Sequence, residues 1–311
     1  MNAGYVLRRI AEKWNDPHWV RHNFLAEVVS PLHSLGYGDA GTSVFDHEWD
    51  NLLVLDACRA DLFEERVDLD RFDEYKRVTS NASNTTPWTQ KNFAGEEFGD
   101  LVYVTANPVT SKEAPESFHE LREVWADHFD PDSVSILPEP VVEEAKDAHA
   151  DHPDKRLVAH FVQPHMPFVP RPELIFRTHW RPGETTGPAG EDPRNIWHAL
   201  ELGEVTREET WDAYGDTLDF VIDHAVELAE HLPGRSVIMS DHGNMLGERT
   251  FPPVRVYGHP PGLRCPELVE VPWAVIDDGT EREFTDEGAR SSTTMGEDVV
   301  RERLHNLGYV E

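Results

Sequence analysis

A few short stretches carry side chains of the types that hold ions and attack electrophiles. Asp56 closes the apolar run Asn51-Leu-Leu-Val-Leu-Asp56, and Asp241-His242-Gly243 follows the run Ser236-Val-Ile-Met-Ser240. Pro164-His165 follows a third run, Arg156-Leu-Val-Ala-His-Phe-Val162. Carboxylate oxygens suit a hard cation, and an imidazole widens the choice to manganese, zinc or iron. Two aspartates and one histidine leave coordination positions open for a nucleophile and a substrate oxygen, as a catalytic centre requires. A hydroxyl cluster, Ser80-Asn-Ala-Ser-Asn-Thr-Thr-Pro-Trp88, leads into an expected helix Trp88–Phe93. Free N–H groups at a helix start attract anions, and a metal-bound hydroxyl there becomes a nucleophile. Each residue alone has a plainer reading: an Asp caps a helix, Asp-His-Gly makes a turn, and a hydroxyl caps a helix.

For these groups to meet, the runs must be neighbouring strands whose carboxyl ends share one edge of a sheet. The run 51–56 is continuously apolar, the pattern of a strand buried on both faces of a parallel sheet. Further strands are expected at Leu101–Thr105 and Val271–Ile276. Helices are expected at 61–66, 116–126, 140–148 and 208–232; Tyr214, Leu218, Val221, Ile222, Ala225, Leu228 and Ala229 line one face of the last. Alternation of strands and helices predicts an α/β fold with a mostly parallel central sheet and helices on both faces. Residues 1–45 read as a helical segment packed on the core and 46–311 as the catalytic domain. The Pro-, Gly- and Arg-rich stretch 164–195 reads as an active-site lid or a surface excursion. His160, inside a strand, reads as a core or sheet-face residue, and Asp216, Asp219 and Asp223 as a solvated acidic face.

The chain has 311 residues, 59 acidic against 28 basic, for a formal charge of -31. This balance excludes phosphate-neutralising nucleic-acid binding and docking on anionic lipid by a basic patch. Only six of the basic residues are lysines. An acidic, lysine-poor chain with apolar runs throughout suits the cytoplasm of a high-salt cell, where the Debye length falls to roughly 3 Å at 1 M. No run approaches the length of a transmembrane helix, and Arg8-Arg9 is not followed by an apolar stretch of the secretory or twin-arginine kind. Tyr5–Trp14 has helical spacing, and peripheral membrane association through it is the alternative to packing on the protein's own body. Cys58 and Cys265 read as reduced thiols.

Val54-Leu-Asp56-Ala-Cys-Arg59-Ala-Asp61 has the form Asp-x-x-Arg-x-Asp, and Ser240-Asp-His-Gly-Asn-Met-Leu-Gly-Glu248 the form Ser-Asp-His-Gly-x-x-x-Gly-Glu. Together they resemble the signature blocks of sulfatase-like members of the alkaline-phosphatase superfamily. Gln163-Pro-His165-Met-Pro-Phe168, Tyr257-Gly-His259 and the tail 300–309 agree in order, the tail with archaeal, haloarchaeal-type members. The resemblance implies an alkaline-phosphatase-like fold and one divalent ion (Mn, Zn, Mg or Ca) held by Asp56, Asp241 and His242 with Thr85. Thr85 would be the nucleophile, because Ser83-Asn-Thr85-x-x-Trp88 fits the Ser-x-Thr-x-x-Trp pattern; Thr86 and Ser83 are the alternatives. His165 and His259, in protonated form, would bind the substrate's oxygens or protonate the leaving group. Arg59 would support the substrate, or else pair structurally with Asp61.

The formylglycine motif of true sulfatases, Cys/Ser-x-Pro-x-Arg, is absent, and Ala57 stands where those enzymes usually have a second aspartate. Both departures favour a threonine-based route like that of the phosphoglycerol transferases: a metal-dependent hydrolase or transferase of phosphate esters working through a phospho-threonine. The expected substrate is a small anionic ester, such as a glycan or lipid head group. A sulfatase with an unmodified hydroxyl and a catalytically inactive, glycan-binding or assembly relative are the alternatives.

Overall fold

A computed structural model of the chain describes Val29, Ser30, His33 and residues 41–176, 195–291 and 296–306. Most of the expected N-terminal helical segment and residues 177–194 of the expected lid lie outside them.

The strands are β1 (Asn51–Asp56), β2 (Glu74–Thr79), β3 (Phe98–Thr105), β4 (Phe118–Glu123), β5 (Phe129–Asp130), β6 (Ser135–Ile136), β7 (Arg156–Pro164), β8 (Arg235–Ser240), β9 (Met245–Arg249), β10 (Arg255–Gly258) and β11 (Glu270–Asp277). The helices are α1 (Ala60–Arg66), α2 (Thr85–Asn92), α3 (Pro108–Glu113), α4 (Val124–Asp127), α5 (Pro138–Asp151), α6 (Ile196–Leu202), α7 (Arg207–His231), α8 (Pro266–Val269) and α9 (Glu297–Asn306). Seven strands form the main sheet in the order β2-β11-β8-β1-β7-β3-β4. β1 runs parallel to both neighbours, and β3 to β7 and β4. The chain is therefore α/β with a mostly parallel central sheet flanked by helices, as expected.

Every residue of β1 is buried. Leu53 and Leu55 pack on one side with Leu62, Phe63, Val141, Leu218 and Val221. Leu52 and Val54 pack on the other with Trp49, Trp88, Phe93 and Trp273. This two-sided burial is the physical reason for the unbroken apolar run. On α7 the expected apolar face is buried, and a Thr206–Glu209 capping box starts the helix.

Several expectations need correction. The stretch 116–126 is not one helix: it forms the edge strand β4 and the short α4. Its i, i+3 apolar spacing mimics a helix, but β3 has backbone groups to satisfy, and pairing with Phe118–Glu123 satisfies them. β2, charged and half-exposed, was not anticipated, and β11 pairs antiparallel with β8 and β2. Asp216, Asp219 and Asp223 are not merely solvated. Arg66 bonds Asp216 and Asp219, Arg71 bonds Asp223, and Arg171 bonds Asp216. Exposed pairs of this kind contribute little each.

Candidate metal centre and nucleophile

The carboxyl ends of β1, β7 and β8 meet above the middle of the sheet. Adjacent parallel strands bring Asp56 and Asp241 together, because Leu55 of β1 registers with Ser240 of β8. Past Asp56, Ala57 takes a left-handed conformation, φ +61°. That turns its N–H onto Asp241 Oδ1 at 2.9 Å, where the His242 N–H also donates at 2.8 Å. Asp241 Oδ2 is buried and has no hydrogen-bond partner among the described residues. Asn107, at the start of α3, donates to Asp56 Oδ2 at 2.6 Å. Asp56 and Asp241 are each 0% exposed, so both carboxylates are withdrawn from water.

His242 Nδ1 lies 2.9 Å from the Gly243 carbonyl. The carbonyl can only accept, so the proton sits on Nδ1 and Nε2 presents a lone pair. That Nε2 is 3.2 Å from Thr85 Oγ1, 3.5 Å from Asp241 Oδ2 and 3.8 Å from Asp56 Oδ1. A side chain at Gly243 would put its Cβ 2.2 Å from the Glu267 carbonyl oxygen, which explains glycine after the Asp-His pair. Thr85 is the first residue of α2, capped by Asn84, so the helix starts three residues before the expected Trp88. Ser83 Oγ is directed instead at the Pro260 carbonyl. Arg264 donates to the Ser80 and Asn81 carbonyls and ties the hydroxyl loop to the segment after His259.

His165, His259 and His242 form a row, with ring centroids 5.0 and 4.6 Å apart. His165 Nδ1 is 2.6 Å from the Met166 carbonyl, and His259 Nδ1 is 2.8 Å from Asn244 Oδ1. Burial pulls His165 down to about 4 and His259 well below its ordinary value. Burial, before any anion is bound, thus works against the protonated form expected of these two histidines. Arg59 is engaged elsewhere. Its guanidinium bonds Asp61, Glu248 and the Asn244 carbonyl, so it clasps the two sequence blocks together. Burial opposes its charge, but Asp61 and Glu248 more than offset that and hold it ionised. Of the two alternatives left open for Arg59, the structure shows the ion pair with Asp61.

His160 is a core residue, as expected, but it also reaches the centre. Asp56, His160 and Asp241 place one ligand atom each within 4.8 Å of one another. Burial brings His160 to about 4. The signal for it in the sequence was a single imidazole interrupting an apolar run. Asn107 was also missed, because before Pro108 it reads only as a helix cap.

The donor set fits a divalent ion. Two ligands ~2.1 Å from one ion at a tetrahedral angle lie ~3.4 Å apart. The separations around His242 Nε2 bracket that value, and the lone buried oxygen of Asp241 lacks the partner an ion would supply.

No protein-family model matches the chain, and no curated protein does. Solved structures do resemble it. One is the soluble domain of lipooligosaccharide phosphoethanolamine transferase A from Neisseria meningitidis, at 15% identity and TM-score 0.46, covering 72% of this chain and 75% of that one. Another is the C-terminal periplasmic domain of phosphoethanolamine transferase EptC from Campylobacter jejuni, at 15% identity and TM-score 0.45, covering 77% and 84%. A putative sulfatase from Bacteroides thetaiotaomicron gives 14% identity and TM-score 0.45, covering 84% and 71%.

Proposed function

We propose that this chain is a metal-dependent hydrolase or transferase of phosphate esters, with Thr85 as the nucleophile. The observation that supports this reading is the convergence of Asp56, Asp241, His242 and Thr85 from three separate elements onto one buried point. Asp56, Asp241, His242 and Thr85 would hold the ion, whose chemistry when bound is to ease loss of the hydroxyl proton and to offset charge on the ester's oxygens.

Thr85 Oγ adds to phosphorus while the bond to the leaving alcohol breaks, giving a phospho-threonine. The hydroxyl's proton leaves with the departing oxygen or to solvent. Water or an acceptor alcohol then attacks phosphorus and frees Thr85. His259, with Nδ1 engaged by Asn244, would offer Nε2 as an acceptor for the proton of that second nucleophile, with the His165 ring beside it. Arg59 holds the Asn244 carbonyl, and Asn244 in turn orients His259. The substrate class this suits is a small anionic ester, a glycan or lipid head group, and the acidic, lysine-poor composition suits high salt.

The test is hydrolysis of aryl phosphate, phosphodiester and sulfate esters by the purified chain with Mn²⁺ or Zn²⁺ in high salt. Turnover of phosphate esters, lost on chelation, supports the proposal. Turnover of sulfate alone reverses the choice of ester, and no turnover with no bound ion favours an inactive relative.

A further inference from the structure

We propose that His160 is an additional ligand of the same ion, forming the floor of its site. This deepens the function proposed above and rests on it. β7 registers His160 beside Val54 of β1 and Thr105 of β3, so the ring stands one step below Asp56. It packs among Trp88 and Tyr103 on the face that Val54 also occupies.

An imidazole this deep normally has both nitrogens satisfied. His160 is 0% exposed, and its Nδ1 is 2.9 Å from the Tyr103 hydroxyl. Its Nε2 is buried with no hydrogen-bond partner among the described residues. The nearby acid is Asp56, whose Oδ2 is 3.9 Å away. That separation is too long for a hydrogen bond and short enough for two ligands of one ion, which at ~2.1 Å each can stand up to ~4.2 Å apart. Asp241, the third member of the group, also has a buried oxygen with no hydrogen-bond partner among the described residues. Two orphaned atoms and a carboxylate around one point are more simply satisfied by one cation than by separate omissions.

The role fixes the tautomer. With Nδ1–H donated to the Tyr103 oxygen, Nε2 carries the lone pair toward the acids, the arrangement by which an outer partner orients a ligating imidazole. Tyr103 is thus a positioning residue for His160. The competing account is a buried water bridging Nε2 to the acids.

The experiment uses the full chain stripped with chelator and titrated calorimetrically with Zn²⁺, with the visible absorption of the Co²⁺ form as a second readout. His160→Gln should weaken Zn²⁺ binding about 100-fold or more and change the Co²⁺ band; Tyr103→Phe should weaken it about 10-fold. A folded His160→Gln protein with wild-type affinity and an unchanged Co²⁺ band overturns the proposal. If His160→Gln does not fold, Tyr103→Phe decides, and wild-type affinity and spectrum there overturn it. Wild-type protein that takes up neither ion overturns the proposed function as well, so the two failures are distinguishable.

Discussion

The Tyr214 hydroxyl donates to the carbonyl of Ala57, joining the first third of α7 to the residue that links the two candidate acids. Ala57 sits at φ +61°, a conformation that disfavours a Cβ, and its N–H is spent on Asp241. Tyr214→Phe keeps the ring against Phe168 and Trp197, but leaves the Ala57 carbonyl only the 3.5 Å contact from Asn244 Nδ2 and takes the Tyr214 oxygen from the Arg59 N–H. The expected loss is about 1–2 kcal/mol of stability and roughly 10-fold in ion affinity. Ala57→Gly removes the left-handed penalty and should recover part of the stability in the double variant. Denaturant unfolding and Zn²⁺ titration measure the two effects. Undiminished affinity in a folded Tyr214→Phe protein would show that the clamp does not set the acids' spacing.

Asp241→Asn separates holding the loop from holding the ion. The amide oxygen can still accept from Ala57 and His242, while the second position becomes an NH₂ that repels a cation. Unfolding of the chelated protein should change by less than ~1 kcal/mol, whereas ion affinity should fall at least ~100-fold. Metal analysis after dialysis decides it, and full loading of the variant rules out the ligand assignment.

Thr85→Val preserves shape and removes the hydroxyl. With a phosphate ester as substrate, turnover should fall by at least ~10³-fold. A phosphorylated peptide containing Thr85, trapped by acid quench and read by mass spectrometry, should disappear in the variant. Label recovered on Thr86 or Ser83 would move the nucleophile.

Stability of the chelated protein should decline with acidification in a defined window. Burial holds His160 and His165 at about 4, against 6.5 for a free imidazole. The unfolded chain therefore binds these protons first. Their neutral burial is fully tolerated above 6.5, and stability falls as the pH drops from there through about 4, by on the order of 3 kcal/mol per ring. Urea midpoints from about pH 7 to about pH 4.5 give the slope; a flat profile would show that water reaches these rings.

The charge of -31 predicts a salt response. Raising KCl from about 0.1 M to about 2 M should screen self-repulsion and lift the melting temperature by roughly 5 °C or more. Scanning calorimetry checks it, and a melting temperature that falls would mean the surface ion pairs outweigh the repulsion.

The interior of the fold was legible and its edges were not. β1, β7 and β8 are buried on both faces, so they read as apolar runs, and the candidate site lies where those runs stop. β2 and β4 are edge strands whose charges face water or form pairs, such as Arg122 with Glu144 and Asp151, so their sequence lacks a strand's alternation. Within the candidate site, the meeting of Asp56, Asp241 and His242 was readable because all three stand at or just past strand ends. His160 and Asn107 were not, since each has a sufficient local explanation as core and cap, and their approach to Asp56 exists only across strands distant in sequence.

The place of β1 between β7 and β8 has a consequence for biosynthesis. β1 is synthesised before β7 and β8, the two strands that flank it, and before the Asp241–His242 pair of the candidate site. Asp56 must remain on a nascent chain whose apolar β1 has no sheet to join. Assembly of the candidate site therefore waits until β8 and the Asp241–His242 pair have been made, and until then β1 lacks the two strands that cover its edges.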